Sequence, residues 1–75
     1  MTKPFLKFKE CVNQIIYNRN IALSTVLTGE DKEFLTKCYS LEIEGVLHAV
    51  RNVLSIHEYL EFEEYCSEYR LKKIN

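Results

Sequence analysis

The sequence predicts an all-α fold, a small antiparallel three-helix bundle expected to pair as a dimer, and three observations carry that prediction. Apolar residues return at alternating three- and four-residue steps along most of the 75 residues, which is the period of one helix face. Two glycines and a single proline leave too few turn-formers for a strand-rich sandwich or barrel. Hydrophobic residues at 47% and charged residues at 28% suit a packed domain rather than a disordered or low-complexity segment.

The first helix is expected over about residues 4–27. Thr2 can cap it, and Pro4 is tolerated there because first-turn amides have no intrahelical acceptor. Phe5, Phe8, Val12, Ile15, Arg19, Ala22 and Val26 mark its apolar face, joined by Ile16, Leu23 and Leu27. Asn18 and Asn20 are poor helix formers on either side of a charge, so a kink or split is open there. Thr28-Gly29-Glu30-Asp31 is the clearest turn signal, with acids placed to suit the positive end of a following helix. That second helix, about 29–54, carries Leu35, Tyr39, Ile43, Val46, Val50 and Val53 on its core face, with Leu47 and Leu54 alongside. Ser40 and Gly45 leave room for a break between them. Ser55-Ile56-His57-Glu58 reads as a capping box, in which Glu58 would turn back to the Ser55 amide. It opens a third helix over about 56–72, with Ile56, Tyr59, Leu60, Phe62, Cys66 and Tyr69 as its apolar arc. Arg70, Lys72 and Lys73 suit its negative end. No repeat or linker intervenes, so residues 1–75 read as one helical domain.

A domain of this size buries roughly 60% of its unfolded surface, and its core supplies only ~3–5 kcal/mol. A partner subunit is the expected supplement. Cys11, Cys38 and Cys66 are odd in number and isolated, which is poor material for a disulfide framework and points to reduced thiols in a cytoplasmic setting. All three lie beside apolar helical positions and are expected in the core, where a thiol is inert. No apolar run approaches the ~18 residues of a membrane span, and no basic start leads into an apolar signal core. The expected protein is cytoplasmic, with no membrane partner.

The net charge of −1 conceals an uneven layout. Residues 1–27 carry Lys3, Lys7, Lys9 and Arg19 against Glu10, while residues 28–54 and 55–75 each carry five acids and three bases. Three lysines near the start are a thin stripe for phosphate neutralisation, so nucleic-acid association is the second reading rather than the first.

Chemistry-bearing motifs are sparse. There is no glycine-rich phosphate loop, no paired-cysteine knuckle and no nucleophile elbow, so no catalytic residue, cofactor or enzyme activity is expected. His57-Glu58-Tyr59-Leu60-Glu61 is half of a zinc-protease helix motif, with glutamate where the second histidine belongs. Glu44 and His48 mirror His57 and Glu61 about the intervening turn. Both pairs project to polar helix sides, where a hairpin would hold them apart, so salt-linked surface residues are expected and a metal site is the third reading.

Two surfaces are more informative. On the third helix Glu61, Glu64 and Glu68 fall within about 60° of one another at 100° per residue, with Glu58 and Tyr65 beside them. Solubility alone accounts for such a face, but clustered charge with a tyrosine also suits docking of a basic protein partner. On the second helix Phe34, Cys38, Leu41 and Gly45 form another apolar stripe, 90° or more (roughly) from the core stripe. Either the helix breaks near Ser40 so that both halves face one core, or the stripe is a self-association patch, with Gly45 permitting close approach. Arg19 sits inside the first helix's apolar stripe, where it must reach solvent by a kink, snorkel, or find a carboxylate. Glu63 should lie level with about Val12, too far along the bundle to serve. The function expected from these features is a non-enzymatic interaction module, a regulator or inhibitor that occludes a basic surface on its partner.

Overall fold

Thr2 begins the fold in extended conformation, its hydroxyl oxygen accepting the Phe5 amide. The structure, a computed structural model, describes residues 2–26 and 28–69, the Glu68 side chain apart. Within them the chain is all-helical, with no strand. Helix α1 is Lys3–Thr25, α2 is Gly29–Arg51 and α3 is Ile56–Cys66, the last continued by a 3-10 turn at Ser67–Tyr69.

Each helix starts where the caps place it. Thr28 accepts the Asp31 amide at 3.1 Å, and Ser55 accepts the Glu58 amide at 3.3 Å. Each helix ends earlier than periodicity alone predicts. Ser24 and Thr25 donate their hydroxyls back to the carbonyls of Ile21 and Ala22 in the last turn, and Val26 is extended. Asn52 closes α2 by donating back to Ala49 and Val50, because Ser55 must already be extended to cap α3. The Ser67 amide reaches back to Glu64, tightening the end of α3 into its 3-10 turn. Residues 70–72, placed in the third helix by the sequence, lie outside the described residues, as do Lys73 and Leu27.

Both suspected breaks are absent. Helix α1 runs unbroken through Asn18-Arg19-Asn20, where Gln14 donates to Asn18 at 3.1 Å along the helix face. Helix α2 runs unbroken through Ser40 and Gly45. Ser40 has a tertiary reason to be there: it is buried, and its hydroxyl donates to the Tyr69 carbonyl at 2.7 Å. That bond anchors the 3-10 turn to the middle of α2.

The core comprises Phe5 and Val12 from α1, Ile43, Leu47 and Val50 from α2, and Phe62 and Cys66 from α3. Phe62 is fully buried at its centre. Phe5 and Phe8 approach it edge-on, at centroid distances of 5.8 and 6.4 Å, and Tyr65 at a tilt. Contacts between α1 and α3 rise in step along both helices: Thr2 with Glu58, Phe5 with Phe62, Asn13 with Tyr65, and Arg19 with Tyr69.

Several residues assigned to the core are exposed instead. Cys11 and Cys38 are open to solvent and only Cys66 is buried, none of the three in a disulfide. At 100° per residue Cys11 is turned about 100° from Val12, and Cys38 about 140° from Ile43. Ile56 and Leu60 are also exposed, as is Val53 in the turn after α2. With only two neighbours to pack against, α3 buries a narrow arc centred on Phe62 and Cys66.

Candidate interaction surfaces

The outer face of α2 departs from a buried-apolar pattern. Phe34 and Leu41 are 65% and 62% exposed, and Cys38 and Gly45 lie open beside them. Because α2 is continuous, its two apolar stripes cannot share one core: Ile43, Leu47 and Val50 face inward, and Phe34 and Leu41 point roughly the opposite way. A methyl group built on Gly45 would meet nothing within 4 Å. Among the described residues no packing therefore requires glycine there, although an interior helical glycine costs about 0.5–1 kcal/mol relative to alanine.

The acidic edge of α3 is divided by the fold. Glu61 and Glu64 are exposed, while Glu58 and Tyr65 are half-buried and tied to α1. The Glu58 carboxylate accepts both the Thr2 amide, at 3.2 Å, and the Thr2 hydroxyl, at 3.0 Å. It thus completes the cap of α1 rather than returning to Ser55, so only the serine half of the expected capping box forms. The Tyr65 hydroxyl donates to Asn13, and Lys9 lies over its ring at 4.7 Å from the centroid. The side chain of Glu68, the last member of the predicted ridge, lies outside the described residues.

Arg19 finds a partner that its place in the stripe does not reveal. It is half-buried, with its guanidinium 5.6 Å from the Tyr69 ring centroid and a bond to Asn20 at 3.0 Å. An aromatic face suits this cation because guanidinium is weakly hydrated and stacks readily. Glu63 instead accepts the Tyr59 hydroxyl at 3.1 Å, one turn away on its own helix.

A cleft of about 230 Å³ opens between α2 and α3, lined by Glu44, Leu47, His48, Arg51, Tyr59 and Glu63. It is smaller than the roughly 300–1,000 Å³ of ordinary ligand sites, and its lining is mainly polar. Glu44 and His48 belong to it, but His57 and Glu61 do not. Among the described residues no three metal-ligating side chains gather at one place, and no helix is long and apolar enough to cross a membrane. Of the amino-terminal lysines, Lys3 and Lys7 are exposed, and Lys9 lies against Tyr65. Set beside protein-family models, curated proteins and solved structures, the chain matches none.

Proposed function

We propose that this protein is a non-enzymatic interaction module, an antiparallel three-helix bundle that works in the cytoplasm as a homodimer and occludes a basic surface on another protein. The observation that carries the reading is the exposed apolar face of an unbroken α2, where Phe34 and Leu41 remain outside the core. Apolar surface of this kind commonly marks a contact site. The exposed thiols of Cys11 and Cys38 suit a reducing compartment. Glu61 and Glu64, with Glu68 following, supply the charge that would steer a basic partner to α3 and fix its register. Glu58 and Tyr65 flank that edge, and their polar groups hold α3 to α1. Phe34→Glu or Leu41→Glu should convert dimer to monomer while helicity is kept, as read by equilibrium sedimentation and circular dichroism. A wild-type chain that remains monomeric at high micromolar concentration removes the dimer. Glu61→Lys/Glu64→Lys/Glu68→Lys should abolish binding of the basic partner and cost no more than ~0.5 kcal/mol of stability per change, as surface changes usually do. Unchanged affinity by calorimetry would reduce the acidic edge to a solubility face.

A further inference from the structure

The face of α2 proposed above for self-association also carries a charge pattern that specifies how two copies meet. Beside the Phe34–Leu41 stripe, along the flank lying about 80–140° from Ile43 at 100° per residue, the chain places Glu30, Glu33, Lys37, Glu44, His48 and Arg51 in that order. All except the half-buried Glu44 are exposed. The order reads acid, acid, base, then acid, base, base. Reversed end for end, it becomes its own complement. Glu30 pairs with Arg51, Glu33 with His48 and Lys37 with Glu44, and all three pairs share one midpoint, between Ser40 and Leu41.

We infer that a second copy of this chain docks on α2 with its own α2 antiparallel, about a two-fold axis passing between Ser40 and Leu41. The inference rests on the self-association reading and adds its geometry. A two-fold axis perpendicular to the helices brings each flank against the same flank of the other copy, so every pair forms twice. Leu41 then meets its own copy at the axis. Phe34 falls across from the partner's helix between Gly45 and His48, and Gly45 has the room that a second helix needs. Parallel packing in register would instead gather Glu30, Asp31 and Glu33 of both copies at one end and align the two helix dipoles unfavourably. Within one chain Lys37 pairs with Glu33 at 3.5 Å with both side chains exposed, a contact of the weak class that a neighbouring carboxylate can replace. Helix α2 has 23 residues, so it is ~35 Å long by helix rise. A single helix pair of that length is a small interface, of the size class that forms transient complexes. The dimer is therefore a reversible one, in the micromolar range.

The test uses the full chain by sedimentation at low salt. Lys37→Glu and Glu44→Lys should each weaken association about tenfold, equivalent to ~1.4 kcal/mol. The double variant, with the pair exchanged, should return to within about threefold of wild type. Register is read separately by oxidation in a Cys11→Ser/Cys38→Ser background. Leu41→Cys should cross-link to its own copy, and Glu30→Cys should not, because its copy would be displaced by ~31 Å along the axis. A reversible dimer in which Glu30→Cys cross-links as readily as Leu41→Cys, or in which the exchanged pair fails to rescue, overturns this arrangement and leaves self-association standing. A wild-type chain that never dimerises overturns both.

Discussion

Replacing Phe62 tests whether one aromatic ring organises the whole bundle. It is fully buried, and its neighbours are rings from both its own helix and α1: Phe5 and Phe8 edge-on and Tyr65 tilted. Phe→Ala in a core costs about 3–5 kcal/mol by lost transfer energy and the cavity left behind. A domain of this size has only about that much stability in total. Phe62→Ala should therefore be largely unfolded at 25 °C rather than merely weakened. Phe62→Leu keeps most of the volume and forfeits chiefly the two edge-on contacts, each worth ~0.5–1.5 kcal/mol. Its expected loss is ~1–3 kcal/mol, and each kilocalorie lowers the melting temperature by about 4–8 °C in a domain this small. Thermal unfolding followed by circular dichroism at fixed protein concentration, with exposed Leu6→Ala as the control, reads the difference directly. If Phe62→Ala melted within a few degrees of wild type, the core would not be centred on this ring.

Glu58→Gln should loosen the first turn of α1, because an amide replaces a carboxylate that accepts from both the amide and the hydroxyl of Thr2. The bonds are exposed, so the loss should stay near ~0.5–1 kcal/mol. The sharper signal is faster hydrogen exchange at the Phe5 amide, and unchanged exchange would separate Glu58 from the cap. The thiols should divide two to one: under native conditions Cys11 and Cys38 should react promptly with a disulfide reagent, and Cys66 only as the chain unfolds. Three equally fast thiols would mean that α3 does not seat Cys66 in the core.

Sequence reads local rules well and tertiary ones poorly, and particular residues show where the line falls. Thr2, Thr28 and Ser55 were legible as caps because a hydroxyl three residues ahead of a free amide is a local arrangement. The inward stripe of Ile43, Leu47 and Val50 was legible from its period. Ser40 was not, since a serine amid apolar residues looks like a weak point until the Tyr69 carbonyl is brought to it by the third helix. Glu58 misled for the same reason: the capping-box pattern is satisfied locally, but Thr2, 56 residues away, offers two donors instead of one. Cys11, Cys38, Ile56 and Leu60 show that adjacency to an apolar position is not burial; three helices cover only a narrow arc of each other. Within the candidate surfaces, Phe34 and Leu41 were visible as a second stripe, and the continuity of α2 removes the broken-helix account of it.

The tie between Glu58 and Thr2 has a consequence for the order in which the chain becomes a protein. Helix α1 is synthesised first, yet its cap acquires the carboxylate partner only after both connecting segments and the whole of α2 have been made. The same holds for the first turns of its apolar face, since Phe5 and Phe8 wait for Phe62. A nascent chain that stops before residue 58 can lay α1 on α2 but leaves Phe5 and Phe8 without Phe62, and closing a loop of this length must precede any reward from that contact. Folding should be all-or-none with respect to α3. An internal ribosomal pause or a nonsense codon in α2 should yield not a smaller working bundle but an unfinished one, open to aggregation and to proteolysis.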